Sequence, residues 1–318
     1  MVDVLTLGET MAAMRSVGGG PRPIRLGGSF ELSIAGAESN VAIGLARLGH
    51  KAGWAGVVGE DQFGELVLRT LRAEGVDTSL VRRSSSPTGL IVFEQRLAGT
   101  VRVDYHRSAS AGSELRPADV DTAFERAPRV LHVTGVTVAL GAGPRGAVTR
   151  AVRLARERGT IVCLDVNDRR RLWTRDAAMS ALNALVSEVD IVIASDDELR
   201  LLATGAGSDE RMLLQSLRAR GVKEIVIKHG DKGATLHVPG RQVHQPARTV
   251  EVADTVGAGD AFVAGYLSGL LDGLGREEQM HRAVTMGAFA VASAGDWEGL
   301  PTRNELTLLD TLPGETLR

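Results

Sequence analysis

Val130-Leu131-His132-Val133-Thr134-Gly135-Val136, then Gly141-Ala142-Gly143-Pro144-Arg145-Gly146, then Thr160-Ile161-Val162-Cys163-Leu164-Asp165-Val166 follow one another in a single stretch of the chain. The first and last are continuous apolar runs rather than alternating ones, which is how strands buried on both faces read. Residues 145–158 between them carry a helical pattern. Strand, helix, strand at this spacing predicts a parallel pair with a crossover helix. Outward from this unit the alternation continues. Further strands are expected at 2–7, 52–58, 190–194, 224–228 and 235–238, and helices at 38–48, 64–74, 196–203, 209–220, 259–271 and 276–294. The fold class is therefore α/β, with a mainly parallel sheet and helices on both faces.

Two segments break the pattern. Residues 11–34 are rich in glycine and proline, and residues 88–107 read as a hairpin with a turn at Ala98-Gly99-Thr100 and period-two alternation after it. Neither carries a helix, and so few strands cannot make a core alone. The expectation is one domain over 1–318 with a small β-lid formed by about 11–34 and 88–111, placed where such flaps cover a ligand.

Hydrophobic residues make up 43% of the 318, enough for a sizeable core, and aromatics only 3%, so that core is aliphatic. A formal net charge of −2 and scattered arginines give no field toward nucleic acid or an anionic membrane. No apolar stretch reaches membrane-spanning length, and residues 1–10 begin directly with a strand-like run that leaves no room for a signal peptide. Cys163 is the only cysteine, so an intramolecular disulfide is impossible, and its apolar run reads as a buried thiol. A cytoplasmic, small-molecule protein is expected.

The strongest local signal for chemistry is Asp254-Thr255-Val256-Gly257-Ala258-Gly259-Asp260, running into an apolar helix. Glycines at a helix start let a polyanion approach the backbone, where free amides and the helix dipole meet it. Gly257, Ala258 and Gly259 form the expected anion hole. Asp260 beside it can accept the proton of a hydroxyl that attacks a phosphoryl group. Taken alone, the string fits an ordinary glycine turn equally well. The Gly141–Gly146 string offers a competing dinucleotide fingerprint, with Asp165 as the ribose acid, and so a nicotinamide-dependent oxidoreductase. Against it, the string lies mid-chain, and Pro144 is explained as the first residue of a helix. The sequence contains no Walker A pattern, no Gly-x-Ser-x-Gly elbow and no zinc-spaced cluster among its seven histidines.

Ala35-Gly36-Ala37-Glu38-Ser39-Asn40-Val41-Ala42, with Arg47-Leu48-Gly49 and Gly56-Val57-Val58-Gly59-Glu60-Asp61-Gln62-Phe63-Gly64 after it, precedes the Asp254–Asp260 string by some two hundred residues. In this order the motifs resemble the two signatures of the ribokinase-like (PfkB) carbohydrate kinases, from end to end of the chain. Within that family the likeness is to the 2-keto-3-deoxygluconate kinase branch. It is carried by Tyr105-His106-Arg107-Ser108-Ala109-Ser110-Ala111, Asp165-Val166-Asn167-Asp168-Arg169, His132-Val133-Thr134-Gly135-Val136 and Lys228-His229-Gly230-Asp231-Lys232-Gly233.

The resemblance implies a three-layer ribokinase-like sandwich, ATP and Mg²⁺, and a sugar-acid substrate phosphorylated to its 6-phosphate with Asp260 as base. It further implies that Gly36, Asn40, Tyr105, Arg107, Asn167, Arg169 and Asp296 bind the substrate. Ser195, Lys228, Gly230 and Gly233 would serve the nucleotide, and Glu198 would act on Mg²⁺ through water. An acid substrate suits arginine, whose planar fork pairs with a carboxylate. Homo-oligomers through the lid edge are also expected.

The sequence departs from the pattern at Ile91, where a lid tyrosine is expected, and at Ser195, where an asparagine is. The other readings are a kinase for a neutral sugar (fructose, ribose) or a nucleoside, the oxidoreductase, and a sugar-acid sensor without activity.

Overall fold

The computed structural model describes residues 2–17, 23–97, 100–125, 128–203 and 209–310. The expected turn residues Ala98 and Gly99, and positions 18–22 of the lid segment, lie outside the described residues. The strands are β1 Val4–Leu7, β2 Met11–Val17, β3 Ser29–Ala35, β4 Ala52–Gly59, β5 Val81–Ser84, β6 Leu90–Leu97, β7 Thr100–His106, β8 Val130–Thr134, β9 Ile161–Asp165, β10 Ile191–Ser195, β11 Glu224–Lys228, β12 Ala234–Val238 and β13 Arg241–Gln245. The helices are α1 Ala37–Arg47, α2 Gln62–Ala73, α3 Gly135–Ala139, α4 Ala142–Glu157, α5 Arg175–Val186, α6 Asp196–Leu199, α7 Glu210–Ala219, α8 Ala258–Leu271 and α9 Arg276–Val291.

Nine strands form the main sheet in the order β13-β12-β11-β10-β9-β8-β1-β4-β5. It is parallel from β11 to β5, and β12 and β13 add an antiparallel edge. The continuous apolar runs are explained by two cores. Leu131, Val133, Val162, Leu164, Val192 and Ala194 point to one face, packed with residues of α4, α5 and α7. Val130, Cys163, Ile191, Ile193 and Val226 point to the other, packed with residues of α1, α2, α8 and α9. Most residues of the inner strands are thus apolar whichever way they point, with His132, Thr134 and Asp165 among the buried exceptions. Cys163 is fully enclosed, and burial pushes its thiol well above its ordinary value.

The four remaining strands form a second sheet in the order β3-β2-β6-β7. Met11, Ala13, Ala35, Ile91 and Phe93 make a small apolar cluster on its inner face, joined by Val101, Val103 and Val256. That face looks toward the carboxyl ends of β1, β9, β10 and β11.

Three expectations need correction. The strand expected over 130–136 ends at Thr134, because the Thr134 side chain accepts from the Thr137 amide and starts α3. The helix expected over 196–203 is one α-turn, α6, followed by a 3₁₀ turn at Arg200–Leu202. β5 and β13 were not expected. Both are edge strands with mostly polar sequences, so they lack the apolar run that marks the inner strands.

Candidate active site

The carboxyl ends of the parallel strands and the inner face of the second sheet enclose a cleft of about 430 Å³. Ligands of open parallel sheets bind at this edge. Gly257, at φ 75, is the N-cap of α8. A Cβ there would run into the main-chain oxygen of Asp296, so glycine is needed on two grounds. Gly257, Gly259 and Asp260 line the cleft; Ala258 does not.

Asp260 is 8% exposed. Asn40 Nδ2 donates to its Oδ2 at 2.8 Å and Asn167 Nδ2 to its Oδ1 at 3.4 Å. Burial raises its pKa, opposed by the Asn40 hydrogen bond and by the charges of Arg169 and Lys228. Asn167 reaches it from just past β9 with a left-handed φ of 36, a conformation asparagine tolerates. Asn40 is fixed through α1. Two residues before it, Glu38 is enclosed and accepts the hydroxyls of Thr134, at 2.5 Å, and Thr137. Burial raises the Glu38 carboxyl to about 7.

Lys228, at the end of β11, donates to both Asp165 oxygens at 2.9 and 3.1 Å. Its ammonium also lies close to Gly259. Burial works against that charge, but the carboxylates of Asp165, Glu198 and Asp260 outweigh it and hold the Lys228 pKa above its ordinary value. Glu198 accepts the Ser195 and Asp168 amides at 2.8 Å each, while Ser195 Oγ accepts the Glu198 amide. Ser195 and Glu198 therefore form a capping box at the rim of the cleft, and the serine hydroxyl is engaged in it. Among the described residues no group of three histidine, cysteine or acidic side chains is gathered to hold a metal. Glu198, with both oxygens on amides, fits contact to a metal's water shell better than direct ligation. Gly230 opens the 3₁₀ turn after β11 and Gly233 caps it, and neither lines the cleft.

Arg107, Tyr105, Ile91 and Gly36 all line the cleft. Arg107 is not free, because its Nη2 is ion-paired with Glu9, a side chain only 1% exposed. Ser110 Oγ also donates to Glu9, at 2.5 Å. A Cβ on Gly89 or Gly112 would strike the Glu9 side chain, so these glycines make its seat. Arg107 Nε is buried with no partner. Arg169, by contrast, is exposed at the cleft, and no other side chain or carbonyl among the described residues engages its guanidinium. Ile91 is 4% exposed and gives an apolar wall. Asp296 also lines the cleft; burial raises its carboxyl to about 7 against the opposing charge of Arg15.

Glu9 and Arg15 were not among the expected site residues, and Asp165 was expected only as the ribose acid of the dinucleotide reading, not as the partner of Lys228. Glu9 and Asp165 had a signal, since an acid at or just past the carboxyl end of a parallel strand points at this edge. The Gly141 string does not line the cleft; Gly143 packs on Leu115 and Gly146 on Pro117. Its glycines let α4 sit closely on the 111–120 segment, and this is what the dinucleotide reading mistook.

The model of the pfkB family carbohydrate kinases matches residues 1–303. The chain belongs to this family. It is an ATP-dependent carbohydrate kinase. It is 37% identical over 310 residues to a 2-dehydro-3-deoxygluconokinase of Bacillus subtilis, covering 96% of this chain and 94% of that one. It is 34% identical over 312 residues to a kinase of the same name from Thermoproteus tenax, covering 96% and 93%. The crystal structure of a 2-dehydro-3-deoxygluconokinase from Thermotoga maritima matches with a TM-score of 0.85 at 25% identity, covering 96% of this chain and 97% of that one. Among the described residues no helix is long and apolar enough to cross a membrane.

Proposed function

We propose that this kinase phosphorylates a sugar acid, 2-keto-3-deoxygluconate (the 2-dehydro-3-deoxygluconate of the relatives' names), on its 6-hydroxyl. The single observation that carries the reading is a cleft holding a buried carboxylate, Asp260, at a helix start together with an unpaired guanidinium, Arg169. The relatives named 2-dehydro-3-deoxygluconokinase support the acid.

The acceptor hydroxyl lies at Asp260, oriented by Asn40 and Asn167 around the same carboxylate. Asp260 takes its proton as oxygen attacks the γ-phosphate of ATP. A raised pKa makes it a better proton acceptor, provided it is deprotonated at working pH. Amides of the Gly257–Gly259 turn and the Lys228 ammonium face the phosphoryl group that moves. Mg²⁺ bound with ATP supplies charge neutralisation, and Glu198 is the residue suited to hold a water of its shell. Ser195, Gly230 and Gly233 border the nucleotide side. Arg169 takes the substrate carboxylate, with Arg107, Tyr105, Gly36 and Asp296 around the rest of the sugar acid. The apolar inner face of the second sheet acts as a lid that excludes water. The outer strands of that sheet are β3 and β7; the Val103 carbonyl of β7 accepts from Arg171 Nη1, and the β3 edge offers backbone to a second copy, which supports a homo-oligomer through the lid. A cytoplasmic location suits an ATP-consuming enzyme with one buried thiol.

The test is ATP consumption over a panel of sugars, sugar acids and nucleosides. Preference for 2-keto-3-deoxygluconate is expected. Preference for a neutral sugar would overturn the acid assignment.

A further inference from the structure

We propose that Arg15, on the second sheet, is a positioning residue that sets the phosphate-binding turn at the start of α8. Two aspartates shape that turn. Asp254 Oδ1 accepts the Val256 amide at 3.1 Å, closing the bend into Gly257. Asp296 lays its main-chain oxygen against Gly257, where no Cβ could fit. The side chains of Asp254 and Asp296 are only 8% and 10% exposed. Arg15 joins them, with Nη1 donating to Asp254 Oδ2 at 2.8 Å and Nη2 to Asp296 Oδ1 at 3.4 Å.

The guanidinium is itself held in place. Its carbon lies 4.4 Å from the centroid of the Phe93 ring, and Phe93 is the register partner of Arg15 across β2 and β6. Phe93 is 2% exposed and lines the cleft, whereas Arg15 does not. Arg15 thus acts on the chemistry through the turn. Removing its charge leaves two nearly buried carboxylates without their cation, which is costly. The turn then relaxes, and amides aimed at a developing charge lose their aim, which costs rate more than binding. Because Arg15 belongs to the second sheet, the turn takes its working shape only while that sheet lies over the cleft. Phosphoryl transfer is in this way tied to closure.

The proposal rests on the reading that the Gly257–Gly259 turn holds the moving phosphoryl group. Arg15→Met keeps a stem over Phe93 and removes the charge. At saturating ATP, with the substrate the panel prefers, kcat should fall about 10- to 150-fold, the value of charge-assisted hydrogen bonds, while KM for that substrate changes by less than about threefold. Arg15→Lys reaches one carboxylate and should fall between. Adding Asp254→Asn to Arg15→Met should cost little beyond Arg15→Met alone, since both remove the same contact. A near wild-type kcat in Arg15→Met, a change in KM alone, or multiplying losses in the double variant would overturn the proposal. If Arg15→Met does not fold, an unchanged kcat in Arg15→Lys overturns it equally. A fully active Gly257→Ala enzyme would sink the phosphate-site reading itself, since a Cβ there must displace the turn. An inactive Gly257→Ala beside a fully active Arg15→Met would sink this proposal alone.

Discussion

Two parts of the cleft are built differently. At the α8 start, Asp260 is held by two short amide side chains, and the turn before it by glycine geometry. Elsewhere on the lining are long arginines, one ion-paired with a buried acid and one unpaired, the latter near enough for its charge to act on Asp260. Short side chains on helices and strands lose little freedom and fix geometry well, whereas a long one depends on its partner for orientation. The α8 start is thus suited to a reaction common to many substrates, and the arginines to choosing among them. If so, damage at the first should hurt all substrates alike, and damage at the second should separate acids from neutral sugars.

The largest effect tests the first half. Asp260→Asn keeps the shape and removes the proton acceptor, so kcat should fall by about 10²–10⁴ on every substrate, with ATP affinity little changed. In the wild type, kcat/KM should fall as pH drops through the raised pKa of Asp260, because the protonated acid cannot act as base. Asp260→Asn should lose that limb. Near wild-type turnover in this variant would remove Asp260 as base and dissolve the contrast.

The second test separates the two arginines. Arg169→Ala should cost about 10- to 150-fold in kcat/KM on 2-keto-3-deoxygluconate, the value of a charge-assisted hydrogen bond, and little on a neutral sugar. Arg107→Ala should cost acids less, within about 10-fold, because Glu9 already neutralises much of that charge. It should also lower Tm, since it leaves Glu9 buried and unpaired. The reverse ranking would mean that substrate draws Arg107 away from Glu9. Equal losses on acid and neutral sugars would mean that neither arginine reads a carboxylate.

How much of this was legible follows the same division. The inner strands were readable because burial on both faces favours apolar residues at most positions, as in Val130–Thr134 and Ile161–Asp165, where only His132, Thr134 and Asp165 depart. β5 and β13 were not, since an edge strand needs no such run. Gly257 and Asp260 were readable because a helix start is a local structure, and its glycines and first-turn acid sit side by side in sequence. The Glu9–Arg107 and Arg15–Asp254 pairs were not. They join segments far apart in the chain, and nothing near Arg107 announces that its charge is already matched. Sequence therefore indicated many of the residues that reach the cleft, though it missed Glu9 and included Ala258, Gly230 and Gly233, which do not line it, and it did not indicate which arrive with a partner.

The smallest effect concerns another residue of the cleft lining. Glu198 lies on the nucleotide side, yet both of its oxygens accept backbone amides. If it touches Mg²⁺ only through water, Glu198→Gln should raise the Mg²⁺ needed for half-maximal rate by about 3- to 10-fold, in keeping with the modest worth of water-mediated contacts. The sugar-acid KM should stay within about twofold, because the arginines are untouched. Gln can still accept one amide but turns its NH₂ toward the other, so the capping box loosens and a small loss of Tm is expected as well. The Mg²⁺ titration discriminates between these effects. A cap that merely holds α6 would lower Tm and leave the titration curve in place. An unchanged curve would therefore assign Glu198 to the frame of the cleft and leave metal handling to the phosphates alone.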